Sequence, residues 1–411
     1  LGASRRPGSP VFALHLLVRE RSWLERDSGD ARFSILGAII EHSPAGMELE
    51  SDLGGIGARI AWQDNPFIPM DDYLLNPAWA FVRLEAPAEA AREAVGMFVD
   101  FLREAAIDEA AIAAAAARVR MELGVRTGRP VFRLHRAANE ALFGDYPYGR
   151  GVFPAEAGTL DPADYGELLA RIRLGGNLIV TATGPAPGDE TLDLLENVFG
   201  GLPAGGGGNR NKPIAFEAAA RIERRAAIEG VYIRRAWLAA DVEAGEAAAL
   251  QVGAEVLGRR MQEEIRETRG LAYSTGCGAS LYPGAVVVSA TIGSRADNLA
   301  EVAAVLDSLI RSLTTSPPTD EETAAAKSRL RGRLARRHLS SASEAAALGV
   351  ELFLFPEAVA GNRLAAVDAP AVRDALARRI DPDGGVTVRL LPGEGERPVR
   401  RMPPPGMPGM R

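Results

Sequence analysis

The 411-residue sequence contains a single cysteine, Cys277, four histidines and only two lysines, Lys212 and Lys327. One thiol excludes an intrachain disulfide and argues against dithiol redox chemistry. Aromatic residues make up 6% of the chain, too few for large aromatic-lined sites. There is no basic excess: 47 Lys and Arg against 54 Asp and Glu give −7, which argues against a nucleic-acid-binding surface. The apolar run from Val11 to Val18 is too short to span a bilayer and no small-residue cleavage site follows it, so it reads as a core strand. What is present, 47% hydrophobic and 25% charged residues, is the composition of an ordinary globular protein. At roughly 150 residues per domain the length corresponds to two or three domains. The scarcity of lysine beside abundant Arg, Ala and Gly reads as GC-rich coding rather than as a recognition surface.

A composition break divides the chain near its middle. Gly200-Gly201-Leu202-Pro203-Ala204 is followed by four glycines, Gly205 to Gly208, which are expected to bury nothing and to act as a linker. A phosphate-cradling loop would need a following Lys-Ser/Thr and a helix, and neither follows. The segments on either side run in a similar order. In the first half an apolar strand leads to a helix over Phe33 to His42, then strands, then helices over Pro87 to Ala105, with Pro87 at the first helical position, and Asp108 to Leu123. In the second, a strand over Gly230 to Val242 leads to a helix over Gly245 to Glu267, strands over Ala272 to Leu281 and Ala285 to Ile292, and helices over Ala296 to Leu313, Asp320 to Arg336 and Ser341 to Leu352. Each half closes on a strand-like run, Asn177 to Ala182 and Val386 to Leu391. The grouping predicts an α+β fold of two related domains, each a mainly antiparallel sheet packed with helices. The expected division is residues 1–203, a Gly-rich linker at 204–213, a second domain at 214–397 and a Pro/Met-rich tail at 398–411.

One helical segment carries a chemically suggestive trio. Ala38, Glu41 and His42 share a helix face. In an inverted zincin site, His-x-x-Glu-His, two histidines one turn apart hold zinc and the glutamate activates a water. Here alanine stands in the first histidine's place. A Glu-His pair near a helix C-terminus is ordinarily explained by the macrodipole alone. His15, His135 and His338 are not at ligand spacing from His42, and His135 reads as a helix residue.

The surroundings of that trio resemble the pitrilysin/insulinase (M16) family of inverted-zincin metallopeptidases, in particular its small bacterial members and the mitochondrial processing peptidase subunits. Leu53-Gly54-Gly55-Ile56-Gly57-Ala58 resembles the turn after the metal helix, with Gly57 where the family usually has Asn. Met121-Glu122-Leu123 resembles the segment supplying the third zinc ligand, although an isolated helix glutamate is ordinarily just solvent-facing. Ala141 to Gly149, Asn177 to Gly184, Phe199 to Pro203 and the helix start Thr319-Asp320-Glu321-Glu322 resemble further family segments. The most informative stretch is Arg266-Glu267-Thr268-Arg269-Gly270-Leu271-Ala272-Tyr273. In the family an Arg and a Tyr seven residues apart hold the substrate, and Arg266 and Tyr273 have that spacing, with Arg269 a close competitor for the Arg role. Without the resemblance, Arg266 reads as a partner of Glu263 or Glu264, and Tyr273 as a half-buried strand aromatic.

The resemblance implies zinc as the family's cofactor, with His42 and Glu122 as remaining ligands of an incomplete site and Glu41 as a vestigial general base. Catalytic zinc takes three protein ligands, so with Ala38 at the first position stoichiometric zinc is not expected. The function implied is that of a non-catalytic, substrate-binding subunit or half of a two-part zinc endopeptidase. Its partner would carry the intact motif, on a separate chain or in an upstream segment; the start at Leu1 fits a fragment of a fused chain and a removed leader equally. The alternatives are a structural or binding core subunit with no role in proteolysis, and an active zinc peptidase with a substitute ligand. The expected compartment is the bacterial periplasm or cytoplasm.

Overall fold

The computed structural model describes residues 1–25, 32–62, 76–150, 161–207, 220–336, 338–356 and 363–394. Residues 208–213 of the expected linker and the tail at 398–411 lie outside them. The first sheet contains β1 (Gly2–Arg5), β2 (Val11–Arg19), β3 (Arg59–Ala61), β4 (Trp79–Pro87) and β5 (Leu178–Gly184) in the order β1-β5-β2-β4-β3. The second contains β6 (Ala220–Ala226), β7 (Gly230–Ala240), β8 (Ala272–Tyr282), β9 (Ala285–Arg295) and β10 (Val386–Pro392) in the order β6-β10-β7-β9-β8. Adding five to each strand number of the first sheet gives the second. In both, the outermost pair (β1 with β5, β6 with β10) is parallel and the other three pairs are antiparallel. The expected α+β architecture of two related halves is therefore present at the level of topology.

The helices of the first half are α1 (Arg21–Leu24), α2 (Arg32–Glu41), α3 (Pro44–Gly55), α4 (Ala91–Glu104), α5 (Glu109–Thr127), α6 (Pro130–Phe143), α7 (Pro147–Arg150), α8 (Pro162–Ile172) and α9 (Gly188–Phe199). Those of the second are α10 (Ala244–Met261), α11 (Leu299–Thr315), α12 (Asp320–Arg336), α13 (Ser341–Leu354), α14 (Arg363–Ala366) and α15 (Ala369–Arg379). The duplication extends to detail: β4 runs through the 3-10 turn Ala88–Ala90 into α4, and β9 through the 3-10 turn Ala296–Asn298 into α11. The start of α12 is a reciprocal capping box. Thr319 N–H donates to Glu322 Oε2 at 2.9 Å, and Glu322 N–H to Thr319 Oγ1 at 3.1 Å.

Three local expectations are corrected. Pro87 ends β4 rather than opening a helix; its φ of −52° and ψ of 144° are extended, and α4 starts four residues later. Gly54 and Gly55 are the last residues of α3, and the left-handed turn before β3 is made at Gly57, φ 74°. The glycine run does not simply hang free at its start. Gly176 N–H donates to Gly205 O at 2.8 Å and Gly207 N–H to Asn177 Oδ1 at 2.8 Å, which pins residues 205–207 against the turn before β5.

The halves exchange helices. β2 alternates strictly: Leu14, Leu16 and Val18 enter the core beneath the first half's own helices, while Leu17 joins Trp79 and Ile179 on the opposite face. That opposite face is covered by α13 from the second half. Gly349 on α13 permits the approach, since a Cβ there would lie 2.9 Å from His15 Nδ1 and 3.0 Å from Thr181 Oγ1. Thr181 Oγ1 donates to Ala345 O at 2.7 Å, and Trp79 meets Phe353 edge-on at 5.7 Å. Reciprocally, α6 packs on β7 and β10 of the second sheet. A strand buried on both faces reads in sequence as a near-continuous apolar run, which is why Val11 to Val18 is interrupted only by His15, itself 2% exposed.

The segment Ala141 to Gly149 proves to be part of this seam. Tyr148 stacks on Tyr282 of β8 at 5.3 Å, Phe143 meets Tyr282 edge-on at 5.2 Å, and Tyr148 Oη donates to the buried Glu20 carboxylate at 2.7 Å. Glu20 itself is held in a left-handed conformation, φ 55°, where β2 ends. Burial pushes its carboxyl up to about 7, against the hydrogen bond from Tyr148. Between the ordinary 4.5 and 7 the folded chain therefore holds a proton that the unfolded chain has released. Stability from this group is complete below that window and falls as pH rises through it, by ~1.4 kcal/mol per pH unit. Glu20→Gln keeps an acceptor for Tyr148 without the titration. Its stability relative to wild type is expected to rise by that slope in urea melts between about pH 5 and pH 7; parallel curves would contradict the assignment.

Candidate functional site

α2 packs between α3, α5 and α8, so the helix bearing the Glu-His pair is fixed on several sides. Its entry is set by a buried ion pair. Arg21, only 1% exposed, donates through Nε and Nη2 to Glu25 Oε1 at 3.2 Å each and through Nη2 to Ser34 Oγ at 3.0 Å. The same Glu25 oxygen accepts the Phe33 backbone N–H at 2.8 Å, one of the free donors of the first turn of α2. At the other end Ser43 caps α3, accepting from Gly46 N–H at 3.0 Å.

Between these anchors Ala38 is 2% exposed and its methyl belongs to the core, with no donor atom to offer. Glu41 ends α2, and His42 follows it with its N–H on Ala38 O. Both side chains are partly exposed, with His42 Nε2 3.9 Å from Glu41 Oε2. The group facing His42 is a third residue that sequence reasoning did not single out: Arg118 of α5, whose Nη1 is hydrogen-bonded to His42 Nε2. A guanidinium only donates, so Nε2 must accept and the ring proton resides on Nδ1. Glu122 lies one turn beyond Arg118 on α5; its side chain lies outside the described residues. Among the described residues there is no cluster of three or more His, Cys, Asp or Glu able to hold a metal ion. The donor set does not fit zinc: position 38 has no ligand atom, and the lone pair of His42 Nε2 is taken by a cation. The signal for Arg118 was an i, i+4 spacing from Glu122 in an otherwise Ala-rich helix, recognisable only once His42 is known to face it.

A cleft of about 760 Å³ opens one residue beyond His42, between α3 and α4, with Glu48, Asp52, Glu104 and Asp108 around Leu49 and Phe101. It contains none of the residues that the resemblance singled out.

Arg266 and Tyr273 lie on the second half. The long helix expected to reach Glu267 is α-helical only to Met261 and continues as a π-helical turn, Gln262–Thr268, with Arg266 exposed on it and Ile265 fully buried beneath. Such turns are rare and recur at functional positions. The turn leads through Gly270, φ 63°, into β8. Leu271 N–H donates to Ile265 O at 2.9 Å, and Leu271 O accepts from Asn298 Nδ2 at 3.1 Å and from Ser294 Oγ. Tyr273 falls where the β8–β9 register slips: Ala272 pairs with Ser294 and Ser274 with Gly293. This bulge turns the Tyr273 ring outward, 63% exposed rather than half-buried.

The neighbouring charges separate the two arginines. Arg269 Nε lies 2.7 Å from Glu264 Oε1 and its Nη1 3.7 Å from Glu301 Oε1, while Glu263 is paired with Arg259 at 2.7 Å. Arg266 has no ion pair among the described residues. Both carboxylates that would ordinarily claim it are occupied by other arginines.

Residues 170–330 match the family model described as the peptidase M16 inactive domain. No curated protein matches the sequence. Among solved structures, the peptidase M16 inactive domain from Pseudomonas fluorescens superposes with a TM-score of 0.78 at 17% identity, covering 97% of this chain and 96% of that one. A chain of Complex III2 from Candida albicans, Inz-5 bound, gives 0.73 at 13% identity, covering 95% and 93%. The periplasmic protease PqqL from Escherichia coli gives 0.72 at 11% identity; the match covers 95% of this chain but 44% of that one. These likenesses concern the fold. No helix among the described residues is long and apolar enough to cross a membrane. With that fold, and with residues 170–330 matching the inactive-domain model, the chain is similar to the M16 peptidases.

Proposed function

We propose that this chain is the non-catalytic, substrate-binding part of a two-part zinc endopeptidase, working with an M16 partner that carries an intact His-x-x-Glu-His. The observation that carries the reading is the pairing of a zinc position without its ligand set and an exposed Arg266 and Tyr273 held on a rigid turn. In the assembled enzyme the partner's zinc would serve the water that attacks the scissile carbonyl. The guanidinium of Arg266 and the phenol of Tyr273 donate hydrogen bonds to the peptide carbonyl, and more strongly to the oxygen as negative charge develops. β8, at the edge of its sheet, offers an unpaired backbone to which an extended peptide adds as a further strand.

Reconstitution tests this directly. The chain, mixed with an M16 partner encoded beside it, is expected to cleave an unstructured peptide, while neither protein does so alone. A partner that is fully active by itself, unchanged by addition of this chain, would count against the reading. The likeness to a chain of Complex III2 favours one competing function, a structural core subunit, in which the assembly forms without any gain in proteolysis.

A further inference from the structure

We infer that Arg118 is a built-in replacement for the metal ion: its guanidinium supplies the positive charge that the Glu41–His42 corner would otherwise take from zinc, and it closes that corner to metal. Alanine at position 38 would by itself weaken zinc binding. The structure adds a second, separate block, and this inference stands whether or not Arg266 and Tyr273 hold a substrate.

The imidazole has one lone pair available at Nε2, and a zinc ion bound through that nitrogen needs it at about 2.0–2.1 Å along the same axis. Arg118 Nη1 already donates to that nitrogen. Zinc could enter only by displacing the guanidinium or by sharing the corner with it, two cations within a few ångströms of each other. Unlike a lysine ammonium, the guanidinium has no accessible neutral form and cannot yield by losing its proton. Its reach is set by α5, which packs directly on α2, and neighbouring Val119 and Ala116 are core residues that fix the helix. Ala38 fills the first-ligand position with a core methyl. The corner is a structural joint between α2 and α5.

The consequence is that restoring the missing histidine does not restore the metal. Equilibrium dialysis against zinc chloride, with metal counted by atomic emission, compares wild type, Ala38→His, Arg118→Ala and the double variant. Wild type and Ala38→His are expected to retain no stoichiometric zinc, and the double variant to bind it about 10- to 100-fold more tightly than Ala38→His. Stoichiometric zinc in Ala38→His with Arg118 in place would overturn the inference, as would equal affinities of Ala38→His and the double variant. Because position 38 is in the core, a test without that substitution accompanies it. The nitrogen-15 shift of His42 Nε2 in the folded wild-type chain is expected to be that of a hydrogen-bonded acceptor and to move on Arg118→Ala. An unchanged shift would likewise overturn it.

Discussion

Replacing Arg266 with Ala and Tyr273 with Phe together is expected to lower kcat/KM for peptide cleavage by the reconstituted pair about 100- to 1000-fold, with the assembly and its zinc content unchanged. The magnitude is that of removing a donor aimed at a developing oxyanion, which recurs at 10²–10³ in rate across hydrolases. Most of the loss should appear in kcat, because a donor that strengthens as charge develops stabilises the transition state more than the bound substrate. Folding should be spared, since both side chains are exposed and the π-turn is held by Ile265, Leu271 and Asn298 rather than by them. Arg269→Ala is the internal control. It breaks ion pairs with Glu264 and Glu301, both exposed, and is expected to change cleavage less than tenfold. Full activity in the Arg266/Tyr273 double variant, or an equal loss in Arg269→Ala, would remove the clamp from the proposed function.

The largest effect on stability is expected at Glu25. Glu25→Ala would take the Glu25 carboxylate from the Arg21 guanidinium, 1% exposed, and from the Phe33 N–H. Breaking a buried pair from one side costs about 3–5 kcal/mol, because the surviving charge stays desolvated. Removing both charges by Arg21→Met with Glu25→Leu should recover most of that loss, since the cost is the orphaned charge rather than the missing attraction. Urea melts of the two variants give the comparison. A loss below about 1 kcal/mol for Glu25→Ala would show that Arg21 finds water or another partner.

Much of the architecture was legible because the strands that carry it are apolar and long. β2, β7, β9 and β10 stand out as hydrophobic runs, and the expected helix over Asp320 to Arg336 matches α12 end to end. β1 and β6 were not legible for a physical reason: Gly-Ala-Ser-Arg is short and has no large apolar side chain, and Ala-Arg-Ile-Glu-Arg-Arg-Ala is an outermost strand rich in charge. Pro87 misled because a proline suits the last residue of a strand as well as the first of a helix. The incomplete zinc corner could be read at Ala38, Glu41 and His42 because helical spacing is local. Arg118 is 76 residues from His42, and only the packing of α5 on α2 brings it there. Likewise the spacing of Arg266 and Tyr273 was visible, but their display depends on a π-turn and a bulge that leave no mark in residue type.

The exchange of α6 and α13 bears on how the chain is made. During synthesis from the N-terminus, β1, β2, β4 and β5 are complete by Gly184, yet the helix that covers their outer face begins at Ser341. Until then Leu17, Trp79 and Ile179 have no apolar cover, and at roughly 5–20 residues per second that interval lasts ~10–30 s. The first half is thus expected to be aggregation-prone as it emerges. Two fragments cut at the glycine run should each be aggregation-prone when expressed alone and should combine into one folded particle when expressed together.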